Sequence, residues 1–239
     1  MKNKKIIYKN YIQREHLDLG KNKFLNESFN KNFKKISSNL DITKDIFHSL
    51  SNEFNLNFKL NEFKKFKKFN TIAIIGIGGS ILGAESIYSF LKNKIKKKVI
   101  FINNLETKKK IRKNKKELNL IISKSGNTLE TIVNSNILIK SKHNLIITEN
   151  KNSYLVLLAK KLKAEIINHN NFIGGRYSVL SEVGMLPAEL MGLNVNRFKQ
   201  LNNLIKNKNY INTLTLNVAN ILYFIKQKKC NSIIINYDP

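Results

Sequence analysis

From Thr71 onward the chain alternates two kinds of segment, and this alternation limits its fold more than any other feature. Short runs rich in isoleucine (Thr71–Ile75, Val99–Ile102, Leu118–Ile122, Leu145–Thr148 and Glu165–Ile167) are separated by stretches with helical spacing (Leu82–Lys92, Thr107–Lys115, Thr128–Lys140 and Ser153–Lys163). The short runs are nearly all apolar rather than alternating, as strands covered on both faces must be. Strands that take turns with helices form βαβ units with right-handed crossovers. The economical product is an α/β fold, a doubly wound five-stranded parallel sheet.

The flanks differ. Residues 1–70 lack strand signals and read as a helical segment with scattered apolar anchors such as Phe24, Leu25, Phe29 and Phe33. Helical spacing returns at Arg197–Ile205 and Ile211–Gln227, and one more strand is expected at Ser232–Ile235. The division expected is therefore 1–70, 71–193 and 194–239, the last holding linker helices and a strand without the elements that would cover it. With 239 residues, of which 42% are hydrophobic, the chain can build one good core or one domain and part of another.

The formal net charge of +27 invites a nucleic-acid reading. Against it, only Arg14, Arg112, Arg176 and Arg197 are arginines, and lysine is spread through loops and helices alike. Nucleic-acid modules concentrate charge and use arginine forks for phosphates and bases. The sharpest local candidate, Phe63-Lys64-Lys65-Phe66-Lys67-Lys68-Phe69, also fits one buried face of a lysine-coated helix. No specific nucleic-acid partner is expected. The longest apolar runs are too short to span a bilayer, so no membrane partner is expected either. A single cysteine, Cys230, and no export signal point to a reducing, cytoplasmic setting.

In a parallel sheet the loops after the strands share one edge, where ligands bind. The first such loop, Gly76-Ile77-Gly78-Gly79-Ser80-Ile81-Leu82-Gly83, is neither a dinucleotide fingerprint, which needs glycine where Ile81 stands, nor a P-loop, which needs lysine where Ala84 stands. It is a glycine turn that delivers Ser80 to a helix start, or one that serves packing alone. The second, Ser123-Lys124-Ser125-Gly126-Asn127-Thr128, crowds hydroxyls and a glycine against a helix N-terminus. Asn127 is the expected N-cap, with Glu130 three residues on as in a capping box. Free amides and the positive dipole end would then suit a phosphate, the alternative being an ordinary capped turn.

The third loop runs from Asn171 to Pro187 and carries Arg176 behind Gly174 and Gly175. A guanidinium fork suits anionic oxygen, or else pairs structurally with a carboxylate or helix end. In a flavodoxin-like 2-1-3-4-5 strand order the first two loops are neighbours, which puts Ser80 and Ser123–Thr128 on one ligand.

These loops resemble the glucose-6-phosphate isomerase family. Gly76 to Gly83 is similar to its G-I-G-G-S-x-L-G loop, Ser123 to Thr131 to its S-K-S/T-x-x-T-x-E-T segment, the signature of sugar isomerase (SIS) domains, and Gly174 to Ser181 to its G-G-R-F/Y-S signature. The similarity spans roughly Thr71 to Leu193 and implies an SIS domain followed by the start of a second. It implies the reversible aldose–ketose isomerisation of glucose 6-phosphate and fructose 6-phosphate, a step of glycolysis and gluconeogenesis, in which a carboxylate base moves a proton between C2 and C1 through a cis-enediol. No metal or organic cofactor is implied.

By the resemblance, Ser80, Ser123, Ser125 and Thr128 hold the phosphate of a hexose 6-phosphate substrate, and Gly79 is a further substrate-binding position. Lys124, Gly126 and Asn127 complete that loop, and Arg176, placed by Gly175, steadies the enediolate. The family commonly forms homodimers. Family chains are about twice this long, and their catalytic glutamate, ring-opening histidine and C-terminal lysine lie beyond the point matching Pro239. The expectation is a fragment, inactive alone. Its histidines, His16, His48, His143 and His169, match no catalytic position, and His169 lies nearest the third loop. Glu182 stands where the family generally has a small residue. The alternative reading is a non-catalytic SIS module that senses a sugar phosphate.

Overall fold

The computed structural model describes residues 23–39, 42, 44–51, 53–105, 117–139, 143–201 and 207–228. Compactness divides the chain differently from the sequence boundary at residue 70. One unit runs Asp41–Lys199, and the other is drawn from Met1–Leu40 and Gln200–Pro239. In the smaller unit, α1 (Lys23–Asn39) packs against a long helix, Lys208–Lys226.

The larger unit is built on five parallel strands: β1 (Thr71–Ile75), β2 (Lys98–Ile102), β3 (Glu117–Ile122), β4 (Asn144–Thr148) and β5 (Glu165–Asn168). Their order is β2-β1-β3-β4-β5, with Ile75 beside both Ile102 and Ile121. This is the expected doubly wound sheet. Helices α2 (Leu82–Leu91), α3 (Leu129–Leu138) and α4 (Tyr154–Leu162) fall within the expected helical stretches. The helix expected at Thr107–Lys115 and the strand at Ser232–Ile235 lie outside the described residues.

Side chains of a strand point alternately to opposite faces, and here both faces are buried. Ile72, Ile74, Leu118, Leu120, Ile122, Leu145 and Ile147 join one core with α2, a helix α5 (Glu182–Leu190) and the phenylalanines of the 58–69 segment. Ala73, Ile75, Ile121 and Ile146 join a second core with Leu155, Leu158 and Ala159 of α4. Each buried isoleucine contributes about 1.5–3 kcal/mol relative to leaving it in water.

Phe63, Phe66 and Phe69 are among those buried residues, so their rings are not offered to bases. The expected α-helix is a 3-10 turn, Lys64–Lys68. With three residues per turn, positions three apart stack on one side, which is how all three rings reach the core while Lys64, Lys65, Lys67 and Lys68 stay exposed.

Helix α5 begins inside what the sequence reads as the third loop and runs past its end. It is buried over its whole length, so it has no polar stripe to reveal its period, and it contains Gly184 and Pro187. Gly184 is required by packing, since a Cβ there would lie 2.0 Å from the carbonyl oxygen of Val179.

Candidate functional site

The register fixes the first relationship. Ile75 pairs with Ile121, so the loops after β1 and β3 leave the sheet side by side. A Cβ on Gly76 would already meet the carbonyl oxygen of Ile122 at 3.0 Å.

After β1 the chain makes a 3-10 turn, Gly78–Ser80, entered through Gly78 at φ +54, a conformation natural to glycine. Ser80 is half-buried, and its hydroxyl has no hydrogen-bond partner among the described residues. Gly79 touches the third loop: a Cβ there would lie 2.3 Å from the carbonyl oxygen of Gly175. The Ser178 hydroxyl reinforces this, donating to the carbonyl of Gly79 at 3.2 Å and of Gly175 at 2.6 Å. Ser178 is a contributor that the motif contains but to which the sequence assigns no role.

After β3 the hydroxyls cluster. Ser123 Oγ lies 2.9 Å from Thr128 Oγ1 and 3.5 Å from Ser125 Oγ, and Ser125 Oγ lies 3.4 Å from Thr128 Oγ1. The backbone N–H of Gly126 donates to Ser123 Oγ and that of Asn127 to Ser125 Oγ. Gly126 has φ +68, and a Cβ there would fall 2.2 Å from Ser153 Oγ, so any side chain at this position is strained and must displace Ser153. Helix α3 begins at once, with Thr128 as N-cap and no side-chain cap bond. Its first N–H groups and positive dipole end therefore face the hydroxyl cluster uncapped by that side chain.

The expected Asn127 cap and capping box are corrected here. Asn127 precedes the N-cap and Glu130 is only two residues beyond it, so the box spacing fails. The Asn127 carboxamide is engaged elsewhere, its Oδ1 accepting from the N–H of Tyr154, the first residue of α4, at 2.9 Å.

Lys124 is likewise tied down. Its ammonium donates to the carbonyls of Asn171 and Ile173 at 2.8 and 2.9 Å and pairs with Glu149 at 3.4 Å. It thus clasps the loop after β5 to the hydroxyl loop. Glu149 also pairs with Lys151 at 2.6 Å. Burial pushes the Glu149 carboxyl upward, but the bonds and charges of Lys151 and Lys124 outweigh it and hold the group below its usual range.

Arg176 lies in a 3-10 segment, Gly175–Leu180, exposed and without a hydrogen bond or ion pair among the described residues. Among the described residues, no carboxylate or helix end holds it as a structural arginine would need. Ser181 caps α5, its hydroxyl accepting from Val183 N–H. His169 is buried, its Nδ1 within 2.9 Å of the Asn170 carbonyl, and burial pushes its pKa down. Glu182, the first residue of α5, is fully buried; Oε1 accepts from the Asn57 N–H at 3.0 Å and from Asn170 Nδ2 at 2.9 Å.

Three crossover loops thus meet at one edge of the sheet, linked by the Gly79–Gly175 contact and the Lys124 clasp. They bring hydroxyls and helix-end amides to that edge, with an exposed guanidinium, unpaired among the described residues, on the third loop; donors of these kinds suit an anion. The sequence matches the phosphoglucose isomerase family over residues 26–222, and the chain belongs to that family. Among curated relatives, it is 30% identical to the glucose-6-phosphate isomerase of Methanocaldococcus jannaschii over 194 residues, 74% of this chain and 48% of that one. It is 32% identical to that of Acholeplasma laidlawii over 214 residues, 76% of this chain and 48% of that one. The chain therefore spans about half the length of the curated relatives it matches. In fold it is similar to a hypothetical protein of Thermus thermophilus, with a TM-score of 0.58, 19% identity, and coverage of 85% of this chain and 56% of that one.

Proposed function

We propose that this chain is the phosphate-binding part of a cytoplasmic glucose-6-phosphate isomerase and takes a hexose 6-phosphate at the edge formed by β1 and β3. The observation that carries the reading is the hydroxyl cluster of Ser123, Ser125 and Thr128, all within 3.5 Å of one another at the start of α3. A dianionic phosphate placed there accepts from the three hydroxyls and from the helix-end amides, and Ser80 adds a donor from the neighbouring loop. Gly79 and Gly126 allow the backbone to approach.

In this reading Arg176 lies across the site from the phosphate and stabilises charge as it develops on the enediolate oxygen. An aimed positive donor lowers the barrier only if it binds that charge more tightly than the ground-state sugar. Lys124 acts as a brace for the loops rather than as a phosphate ligand. In this reading the family's base, ring-opening histidine and C-terminal lysine are supplied from outside residues 1–239. General acid–base steps contribute about 10²–10⁴-fold each, so residues 1–239 alone bind substrate with little turnover. The similarity to glucose-6-phosphate isomerases supports a hexose phosphate as the substrate class, and a homodimer is the assembly proposed for the complete enzyme.

The test is calorimetric titration of the chain with glucose 6-phosphate, glucose and inorganic phosphate. The reading requires saturable binding of the phosphorylated sugar and none of glucose at the same concentrations. Equal binding of both sugars would remove the phosphate from the argument.

A further inference from the structure

The carboxyl of Glu182 is a junction. Oε1 accepts from the backbone N–H of Asn57 and from Asn170 Nδ2. Asn57 closes the triangle, its Nδ2 donating to the Asn168 carbonyl at 3.0 Å and to Asn170 Oδ1 at 3.2 Å. Asn170 is followed by Asn171 and Ile173, whose carbonyls hold Lys124 of the hydroxyl loop. On its other side, Glu182 directly follows the Gly175–Leu180 segment and its cap Ser181. The two halves of the candidate site are therefore joined through one buried acid. The small residue expected at this position could not reach either donor.

The second oxygen is unusual. Oε2 is buried and has no hydrogen-bond partner among the described residues. A buried carboxylate with an unsatisfied oxygen is costly, so the group favours its neutral form. Burial does push the Glu182 pKa up, against the bonds from Asn57 and Asn170 that pull it down. Ionisable groups on the surrounding elements are Glu53 and Lys59 beside Asn57, His48 in the turn packed on the Arg176 segment, His169 before Asn170, Glu85 on α2, and Arg176 and Glu189 along the same stretch of chain. None makes an ion pair or hydrogen bond with Glu182 among the described residues.

We propose that Glu182 is a positioning residue that, while protonated, ties the Arg176 segment to the loop after β5 that Lys124 clasps, and releases it on ionisation. The consequence for sugar-phosphate binding rests on the function proposed above; the control of loop placement does not.

The test compares the wild type with Glu182→Gln, which keeps the Oε1 acceptor and stays neutral, and Glu182→Ala, which leaves both donors unpaired. Hydrogen–deuterium exchange of residues 168–180, corrected for intrinsic rates, is followed from acidic to mildly alkaline buffer, together with the glucose 6-phosphate dissociation constant. In the wild type, exchange rises and affinity falls with pH, toward a limit of about tenfold per pH unit above the folded pKa. Glu182→Gln shows neither trend, and Glu182→Ala exchanges fast at every pH. The phosphate group's own titration is common to all three proteins. Identical pH profiles in wild type and Gln variant would overturn the proposal. If the Gln variant does not fold, a pH step retained in the Ala variant would do the same. Exchange that separates the variants in a protein that binds no sugar phosphate would keep the positioning role and refute the function.

Discussion

Gly79 and Gly175 meet backbone against backbone: a Cβ on Gly79 would lie 2.3 Å from the carbonyl oxygen of Gly175 and 2.9 Å from the N–H nitrogen of Arg176. Neither neighbour is a side chain that can swing away. The contact therefore sets how closely the Ser80 turn and the Arg176 segment approach, and it does so without a single charged group.

Gly79→Ala should separate these two loops. Overpacking against backbone costs on the order of 1–3 kcal/mol, to be read as a lower urea midpoint with an unchanged slope. The variant should also bind glucose 6-phosphate more weakly. Gly175→Ala is the control, since a Cβ there meets nothing nearer than Gly79 Cα at 3.9 Å. It should stay close to wild type in stability. Equal losses from both variants would mean that the contact is not the constraint.

Ser125→Ala with Thr128→Ala tests the phosphate cradle. Hydrogen bonds to charged groups contribute roughly 1.5–3 kcal/mol each. Loss of two should weaken glucose 6-phosphate by tenfold or more, while the melting temperature moves little because Ser125 is exposed and Thr128 half-buried. Calorimetry on the folded double variant reads the result. Unchanged affinity would place the phosphate elsewhere.

The sheet and the hydroxyl loop were legible for different reasons. Ile72, Ile74, Ile121 and Ile146 are all buried, so local sequence alone carried the signal of a sheet covered on both sides. The loops could be read because Gly78 and Gly126 occupy positive-φ positions that few other residues accept. What stayed hidden depends on distant partners. No window around Asn127 shows that Tyr154 will take its carboxamide, and nothing near Glu182 points to Asn57, 125 residues earlier. Helix α5 was masked because burial on every side erases the polar face by which a helix is recognised.

Ile74→Ala should be among the most damaging single changes. Ile74 is fully buried on β1, an interior strand of the sheet, and truncating such a side chain costs about 2–5 kcal/mol. Phe90→Ser removes a larger ring that is 86% exposed and should shift stability by no more than about 0.5 kcal/mol. Chemical denaturation of both variants checks the contrast. A large loss from Phe90→Ser would show that this face of α2 is covered in solution.

Glu149 gives the acid limb of stability. Its folded carboxyl is held below the usual range by Lys151 and Lys124, so folding favours the ionised form. Such a group stabilises above its unfolded pKa, and the contribution disappears as pH falls through the lower, folded value. Glu149→Gln should therefore lower the melting temperature at neutral pH, by an amount corresponding to on the order of 1 kcal/mol because both lysines are partly exposed. In acid, where the wild-type carboxyl is itself protonated, the two proteins should converge. Lys124→Met should reproduce the neutral-pH loss and, by freeing the carbonyls of Asn171 and Ile173, also raise exchange in that loop, which Glu149→Gln should do far less. Melting curves across the acid range, paired with exchange at neutral pH, separate the charge of the lysine from its clasp. A constant gap between wild type and Glu149→Gln down to the acid limit would show that the ion pair does not set the pH dependence.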